Sequence, residues 1–190
     1  SRGDLPDEFI EKIAKLGILE RAKALSEFNE KQKLMKSMSS STPRGHIHHP
    51  KLVDAPAAAT KQAHKCTIVF TEGDSAKTFM LAGIKGINDE DHKYWGYFPL
   101  RGKLLNVRQA TVKQLASNEE IKMIMKIVGL RDGQDYSKDT SSLRYGRIMI
   151  LADADDDGHH IKGLLMNLIA FYWPSLAQRP GFICDMATPI

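Results

Sequence analysis

The sequence predicts an α/β fold built on a mainly parallel, four-stranded sheet. Short apolar runs recur along the chain, and helical patterns separate them; the runs are residues 66–71, 95–100, 147–152 and 181–186. Strands that alternate with helices form parallel sheets whose two faces are covered by those helices. Ligands of such sheets bind beyond the carboxyl ends of the strands, so functional residues are expected there.

A helical extension is expected before the sheet. Residues 7–35 space their apolar side chains at helical intervals, and Gly17 is expected to end one helix before another begins. The next segment is rich in Ser, Pro, Ala and His without a period, which is typical of a linker or extended loop. We therefore divide the chain into a helical extension (1–36), a linker (37–64) and an α/β domain (65–190).

Helices are expected between the strands. One opens at the "EGDSA" stretch after the first strand and runs to about Ile84. A second has Ser117 or Asn118 as its N-cap and runs to about Val128. A third follows Gly158 and ends at Pro174.

Composition limits the class of protein. The 190 residues carry a formal net charge of +4, which permits a polyanionic partner without requiring one. No apolar run approaches the roughly 20 residues that span a bilayer, so no membrane partner is expected.

Cys66 and Cys184 lie far apart inside apolar runs, which favours buried free thiols in a reducing compartment. His46, His48 and His49 have no cysteines at ligand spacing, which favours a basic loop over a zinc site.

Four aspartates crowd the segment after the third strand: Asp153, Asp155, Asp156 and Asp157. An EF-hand calcium loop is excluded, because its position 12 is Leu164 and a strand precedes it. A haloacid-dehalogenase type phosphotransferase is disfavoured, because only 33 residues follow Asp157. A solvated acidic loop and a site for a hard cation such as Mg²⁺ remain as the two interpretations.

The stretch "TEGDSAK" at residues 71–77 decides between them. It puts Glu72 at the end of another strand, Gly73 in a tight turn, and an N-capping residue before a helix. The free N–H groups at such a helix start favour an anion such as phosphate. Two acidic strand ends in one α/β unit favour the cation site.

These two motifs together resemble the Toprim domain, in which a glutamate and a D-x-D triplet hold Mg²⁺. Further stretches are similar to type IIA DNA topoisomerases of the eukaryotic kind: "PLRGKLLNVRQA" (99–110), "LRYGRIMI" (143–150) and "DGHHIKGLLMNLI" (157–169). The resemblance is strong over residues 50–190. Residues 1–36 resemble, more loosely, the helical end of the transducer region that precedes Toprim in that family.

The resemblance implies a metal site at the strand ends. Glu72, Asp153 and Asp155 would be the catalytic metal ligands, with Asp157 in support. The ion would be Mg²⁺, for which Mn²⁺ or Ca²⁺ could substitute.

It also implies contacts to double-stranded DNA. Lys103 and Asn106 would touch the DNA backbone near the cut, Arg101 would line the groove, and Lys77 is a weaker candidate, as is Arg108. Gly73, Asp74 and Arg101 match positions that border the pocket of cleavage-trapping drugs in the family.

The implied whole protein is an ATP-dependent, homodimeric isomerase that cleaves, passes and religates DNA, with its ATP bound outside this segment. It would lie in the nucleus, or in the cytoplasm or a viral particle if the source is a virus. None of the five tyrosines (94, 97, 136, 145 and 172) has the context of the family's nucleophile, so the chain alone is expected to be inactive. The alternative is a Toprim-fold binding module of a nuclease or primase, but those proteins lack "PLRGKLLNV".

Two stretches depart from the family pattern. "DADDDGHH" has the additional Asp156, and it has His159 where serine is usual; residues 86–96 lack an arginine that the family often carries before its Lys-Tyr. The resemblance therefore points to a divergent lineage, such as a protist or a large virus.

Overall fold

The computed structural model describes residues 17–39, 45–73, 77–86, 90–101, 104–131, 133–152 and 156–187. The strands are β1 (Thr67–Glu72), β2 (Trp95–Leu100), β3 (Arg147–Ala152) and β4 (Ile183–Ala187). The helices are α1 (Ile18–Ser39), α2 (Lys77–Gly86), α3 (Val112–Ser117), α4 (Glu119–Val128), α5 (Asp156–Tyr172) and α6 (Pro174–Ala177).

The four strands form one sheet in the order β2-β1-β3-β4, and every neighbouring pair is parallel. The predicted α/β class and the four-stranded parallel sheet are confirmed. β2 and β3 have the predicted bounds, whereas β1 begins and ends one residue later than predicted, and β4 begins two residues later and ends one residue later.

Both faces of the sheet are covered by helices, as predicted. Alternate residues of β1 divide between the faces, because successive side chains of a strand point to opposite sides. Ile68 and Phe70 join the larger core under α4 and α5, whereas Val69 packs with Met80 and Ile84 of α2. Residues buried on both sides explain why the strands read as continuous apolar runs.

The helix α1 packs on the domain. It begins directly after Gly17, whose φ is 64°, so the prediction that a helix starts beyond Gly17 is confirmed. Met35 is fully buried in the main core, and Phe28 meets Phe171 of α5 edge to face at 5.8 Å. The expected helix before Gly17 lies outside the described residues.

Two of the connecting helices show how local signals work. Asn118 caps α4 by accepting from Ile121 N at 2.8 Å, and Gly129 ends the helix in the left-handed conformation at φ 84°. The helix α3 was not predicted, although Thr111 and Gln114 form a full capping box at its start. The prediction that the last long helix starts after Gly158 was wrong by three residues, since α5 begins at Asp156.

The segment before β1 is tied to the sheet. Val53 forms an isolated antiparallel bridge with Tyr97, so it covers the outer edge of β2. Asp54 Oδ1 accepts from the Tyr145 hydroxyl at 2.6 Å, and Oδ2 accepts from the Arg144 guanidinium and from Ile47 N. Within the described ranges, no helix has both the length and the apolar character to cross a bilayer.

Candidate metal and nucleic-acid site

The carboxyl ends of the strands meet at one edge of the sheet. Glu72 is paired with Leu100 at the end of β2, and Thr71 with Leu151 one residue before the end of β3. Ala152, the last residue of β3, is therefore the next neighbour of Glu72 across the sheet. Adjacent strands lie roughly 4.8 Å apart, so Glu72 stands one strand spacing from Ala152, the residue that precedes the acidic segment in the sequence.

Glu72 is half-buried, and the turn that follows it is fixed by hydrogen bonds. Gly73 has φ 65°, a conformation that favours glycine. Gly73 N donates to Leu100 O at 3.0 Å, and the Thr71 hydroxyl donates to Gly73 O at 3.0 Å. The tight turn predicted at Gly73 is therefore present, and it holds the end of β1 beside the end of β2.

The described residues include only part of the aspartate cluster that follows β3. Asp153 and Asp155 lie outside the described residues, and Asp156 and Asp157 form the first turn of α5, where their side chains are not described. Among the described residues, no group of three His, Cys, Asp or Glu side chains lies together. The backbone nevertheless brings Glu72 next to the strand that leads into four carboxylates, and oxygen donors of this kind suit Mg²⁺.

Three further predicted residues are placed as follows. Asp74 and Lys103 lie outside the described residues. Lys77 is the first residue of α2, but its side chain is not described.

Arg101 directly follows β2 at the same edge of the sheet, and its side chain is exposed. Its backbone N donates to Glu120 Oε1 at 3.2 Å, which ties the start of this loop to the first turn of α4. Burial raises the pKa of the Glu120 carboxyl above its usual range, while the Arg101 hydrogen bond and the charges of Arg101 and Lys51 oppose that shift. Glu120 Oε2 is buried and has no hydrogen-bond partner in the part of the chain that the structure describes.

Asn106 lies in the loop of residues 104–110 that follows β2, which we call the β2 loop. Three buried side chains anchor this loop in the main core: Leu104, Val107 and Ala110. Asn106 is half-buried, and its Oδ1 accepts from Arg108 N at 3.2 Å and from Asn167 Nδ2 of α5 at 3.1 Å. The buried side chains fix the backbone of the β2 loop, and the two hydrogen bonds fix the side chain of Asn106.

Arg108 is held from two sides. Its guanidinium lies over the Phe171 ring of α5, 5.9 Å from the centroid. Its carbonyl oxygen accepts from Lys31 of α1 at 3.4 Å, and Lys31 is only 8% exposed. The exposed Arg108 side chain thus adds positive charge beside Asn106. Its contacts with α1 and α5 hold Arg108 in this position.

Sequence reasoning missed Glu120 and Asn167. Glu120 reads as an acidic residue in the first turn of a helix, and such residues are explained by the helix dipole alone. Asn167 lies within the quoted "DGHHIKGLLMNLI" stretch but contacts Asn106, which is 61 positions earlier in the sequence. No local pattern could show either contact.

The tyrosines and cysteines are placed as follows. Tyr97, Tyr136 and Tyr145 are fully buried, while Tyr94 and Tyr172 are half-buried.

Both cysteines are free thiols. Cys66 is buried as predicted, and burial together with the Asp54 charge raises its pKa to about 11. The prediction that both cysteines are buried was wrong for Cys184, which is half-buried near the edge of the sheet, on β4.

The Toprim domain family matches residues 21–183. The chain is 48% identical over 190 residues to DNA topoisomerase 2 of Acanthamoeba polyphaga mimivirus, which covers all of this chain and 15% of that protein. It is 44% identical to DNA topoisomerase 2 of Arabidopsis thaliana over 190 residues, covering all of this chain and 12% of the relative. The corresponding values for DNA topoisomerase 2 of Saccharomyces cerevisiae are 44% over 191 residues, all of this chain and 13% of the relative.

A solved structure is similar as well. The DNA-binding, cleavage and re-ligation domain of Plasmodium falciparum topoisomerase II superposes with a TM-score of 0.71 at 49% identity. The match covers 77% of this chain and 20% of that one. The chain thus spans 12–15% of the length of the three curated relatives described above.

Proposed function

We propose that this chain, which belongs to the Toprim domain family, is the metal-binding segment of an ATP-dependent type IIA DNA topoisomerase. The whole enzyme would cleave double-stranded DNA, pass a second duplex through the break and religate it. The observation that carries the proposal is the parallel pairing of β1 with β3, which sets Glu72 beside the strand end that leads to Asp153. The similarity to three proteins named DNA topoisomerase 2 supports the same function.

The proposed cofactor is Mg²⁺, with Mn²⁺ or Ca²⁺ able to substitute. Glu72, Asp153 and Asp155 would hold it, and Asp157 would support the site from the first turn of α5. A bound divalent ion would stabilise negative charge on the phosphoryl and leaving oxygens of a DNA strand. The half-buried carboxylate of Glu72 fits this task, because burial limits the water that competes for the ion.

Double-stranded DNA is the proposed partner. Lys103 and Asn106 would contact its backbone, Arg101 would line the groove beside them, and Lys77 would reach the DNA from the start of α2. Arg101 and Arg108 are exposed there, and positive side chains supply the main attraction to the phosphates of DNA. Gly73, Asp74 and Arg101 would border the pocket for drugs that trap cleaved DNA.

In this proposal, the nucleotide-binding site and the tyrosine that cleaves DNA lie outside this segment. The nucleotide would bind elsewhere in a homodimer, and the enzyme would act in the nucleus, or in the cytoplasm or a viral particle for a viral source. The buried Tyr97, Tyr136 and Tyr145 cannot reach a DNA phosphate. Tyr94 and Tyr172 are half-buried, and neither has the sequence context of the family's nucleophile. We therefore expect no DNA cleavage by the chain on its own.

A chimaera tests the proposal. This chain would replace the matching segment of the Saccharomyces cerevisiae relative, and relaxation of a supercoiled plasmid would be followed with ATP and Mg²⁺. We expect the chimaera to relax the plasmid, and Glu72→Gln to reduce its rate at least about a hundredfold, because a ligand of the ion is lost. The matched control is Glu90→Gln, an exposed glutamate before β2.

Two results would count against the proposal. A folded chimaera that binds DNA and leaves its topology unchanged would favour a binding module without strand passage. A Glu72→Gln chimaera as active as the parent would remove Glu72 from the metal site.

A further inference from the structure

The hydrogen bonds of Asn106 fix which of its two amide atoms is which. A backbone N–H can only donate, so the Asn106 atom that lies 3.2 Å from Arg108 N must be the oxygen. That oxygen also lies 3.1 Å from the Asn167 amide, which must then present its own nitrogen. The amide orientation of both asparagines therefore follows from one backbone donor.

This orientation leaves Asn106 with a donor group to offer. Its Oδ1 takes two hydrogen bonds, while no described residue accepts one from its Nδ2. Nδ2 carries two hydrogens and no acceptor capacity. A group of this kind matches a phosphate oxygen, which only accepts.

Asn167 supplies its hydrogen bond from a rigid support. It lies on α5 between Leu165 and Leu168, both 1% exposed, so the helix is fixed on the core. The first turn of the same helix holds Asp156 and Asp157, and Asp157 is ten residues before Asn167, which is about 15 Å along the axis. One helix thus contacts the β2 loop and begins in the acidic segment.

We infer that Asn167 is a positioning residue for DNA binding. It holds Asn106 Oδ1, and so presents Asn106 Nδ2 as a donor to a phosphate oxygen of the DNA backbone. The link also fixes the β2 loop relative to the helix that begins at the aspartates. This inference rests on the proposed function, because it needs DNA as the partner of this edge.

The test uses the 190-residue chain and a fluorescently labelled duplex, with binding followed by anisotropy at one stated salt concentration. Asn106→Asp is the informative variant, because a carboxylate still accepts from Arg108 N and from Asn167 Nδ2. It replaces the donor by a negatively charged oxygen. We expect Asn106→Asp to weaken binding more than Asn106→Ala, which itself costs about tenfold.

If Asn106 only supported the loop, Asn106→Ala would weaken DNA binding more than Asn106→Asp. Asn106→Asp keeps both internal hydrogen bonds, whereas Asn106→Ala loses them. If Asn106→Ala binds more weakly than Asn106→Asp, the donor role of Nδ2 is overturned.

Asn167→Ala tests the positioning role. We expect it to weaken binding about three- to tenfold in the parent and to add nothing in the Asn106→Ala background, because its effect passes through Asn106. Asn29→Ala is the matched control, since Asn29 is exposed on α1. Thermal melting of each variant checks that the fold is retained.

Failure of this inference differs from failure of the proposed function. The inference is overturned, while the proposed DNA binding is retained, in either of two cases. In the first, the parent and Asn167→Ala bind DNA equally. In the second, Asn167→Ala weakens binding in the Asn106→Ala background as much as it does in the parent. If the parent binds no duplex with Mg²⁺ present, both are overturned together.

Discussion

Asp54, whose side chain is 10% exposed, and the half-buried Glu120 differ in how many hydrogen bonds their carboxylates accept. Asp54 accepts from the Arg144 guanidinium, the Tyr145 hydroxyl and Ile47 N, and His46 Nδ1 lies 3.4 Å away. Glu120 accepts from Arg101 N at 3.2 Å, and its second oxygen is buried without a partner in the described part of the chain. The first lies in the linker before β1, and the second lies beneath the loop that would bind DNA.

The number of hydrogen bonds that each carboxylate accepts distinguishes a residue that supports the fold from one beside the proposed DNA-binding edge. A buried carboxylate with full partners is stabilised by its surroundings and rigidifies them, whereas one with a missing partner costs free energy. Asp54 therefore joins the 45–55 segment to the sheet, and the fold depends on it. Glu120 accepts a single hydrogen bond, from the backbone N of Arg101 directly after β2, and this bond ties Arg101 to the first turn of α4.

Asp54→Ala is expected to have the largest effect. It leaves the Arg144 guanidinium, which is 3% exposed, without its charged partner. Breaking a buried pair in this way costs about 3–5 kcal/mol of unfolding free energy. Urea unfolding measures it, with the exposed Glu30→Ala on α1 as control; a loss below about 1 kcal/mol would contradict the architectural role.

The Cys66 thiol reports on the same cluster. Its pKa is raised to about 11 by burial and by the Asp54 charge, so only about a thousandth is thiolate near pH 8. We expect an alkylating reagent to label the half-buried Cys184 at least about a hundredfold faster than Cys66 in the native chain. Mass spectrometry of the two peptides would show it, and equal labelling would mean that the cluster opens readily.

Tyr145→Phe removes a smaller part of the cluster. The Tyr145 hydroxyl donates to Asp54 Oδ1 and accepts from Ala55 N at 2.9 Å, so its loss leaves a buried N–H unpaired. We expect a loss of about 1–3 kcal/mol in the same urea experiment. A loss equal to that of Asp54→Ala would show that the hydroxyl, rather than the ion pair, supports the segment.

Glu120→Gln should have the smallest effect, visible in the pH dependence of stability. Because the folded pKa of Glu120 lies above the unfolded value of 4.5, the folded state binds more protons in this range. The parent should therefore lose stability as the pH rises through the unfolded and then the folded pKa. Gln cannot titrate, so the variant should lose less stability as the pH rises from 4.5 through the raised pKa of the folded state.

Glu119→Gln is the matched control for that measurement. Glu119 is the preceding residue of α4 and its side chain is 81% exposed, so the same charge is removed without burial. A pH profile shared by Glu120→Gln and the parent would contradict the burial of the Glu120 carboxylate.

The sequence predicted the sheet well because its signals are local. The bounds of β2 and β3 were right, and those of β1 were wrong by only one residue. The helix α3 was missed because six residues are too few for a helical period, although its Thr111 capping box was present in the sequence. The turn at Gly73 was predicted from the glycine alone.

The contacts around the site could not be predicted in the same way. Asn106 meets Asn167, and Arg101 meets Glu120, only after distant segments have packed together. The resemblance named Asn106 and Arg101 as DNA contacts, which remains a prediction. The residues that hold them required coordinates, because no spacing rule connects a loop with a helix 61 positions away.

Calorimetric titration of the chain with Mg²⁺, with and without a DNA duplex, tests the metal site most directly. The parent should bind Mg²⁺, and both Glu72→Gln and Asp153→Asn should weaken that binding at least about tenfold, because each removes one oxygen ligand from a shared ion. Glu90→Gln should bind as the parent does. A Glu72→Gln chain that binds Mg²⁺ as tightly as the parent would contradict a single site built from the ends of β1 and β3.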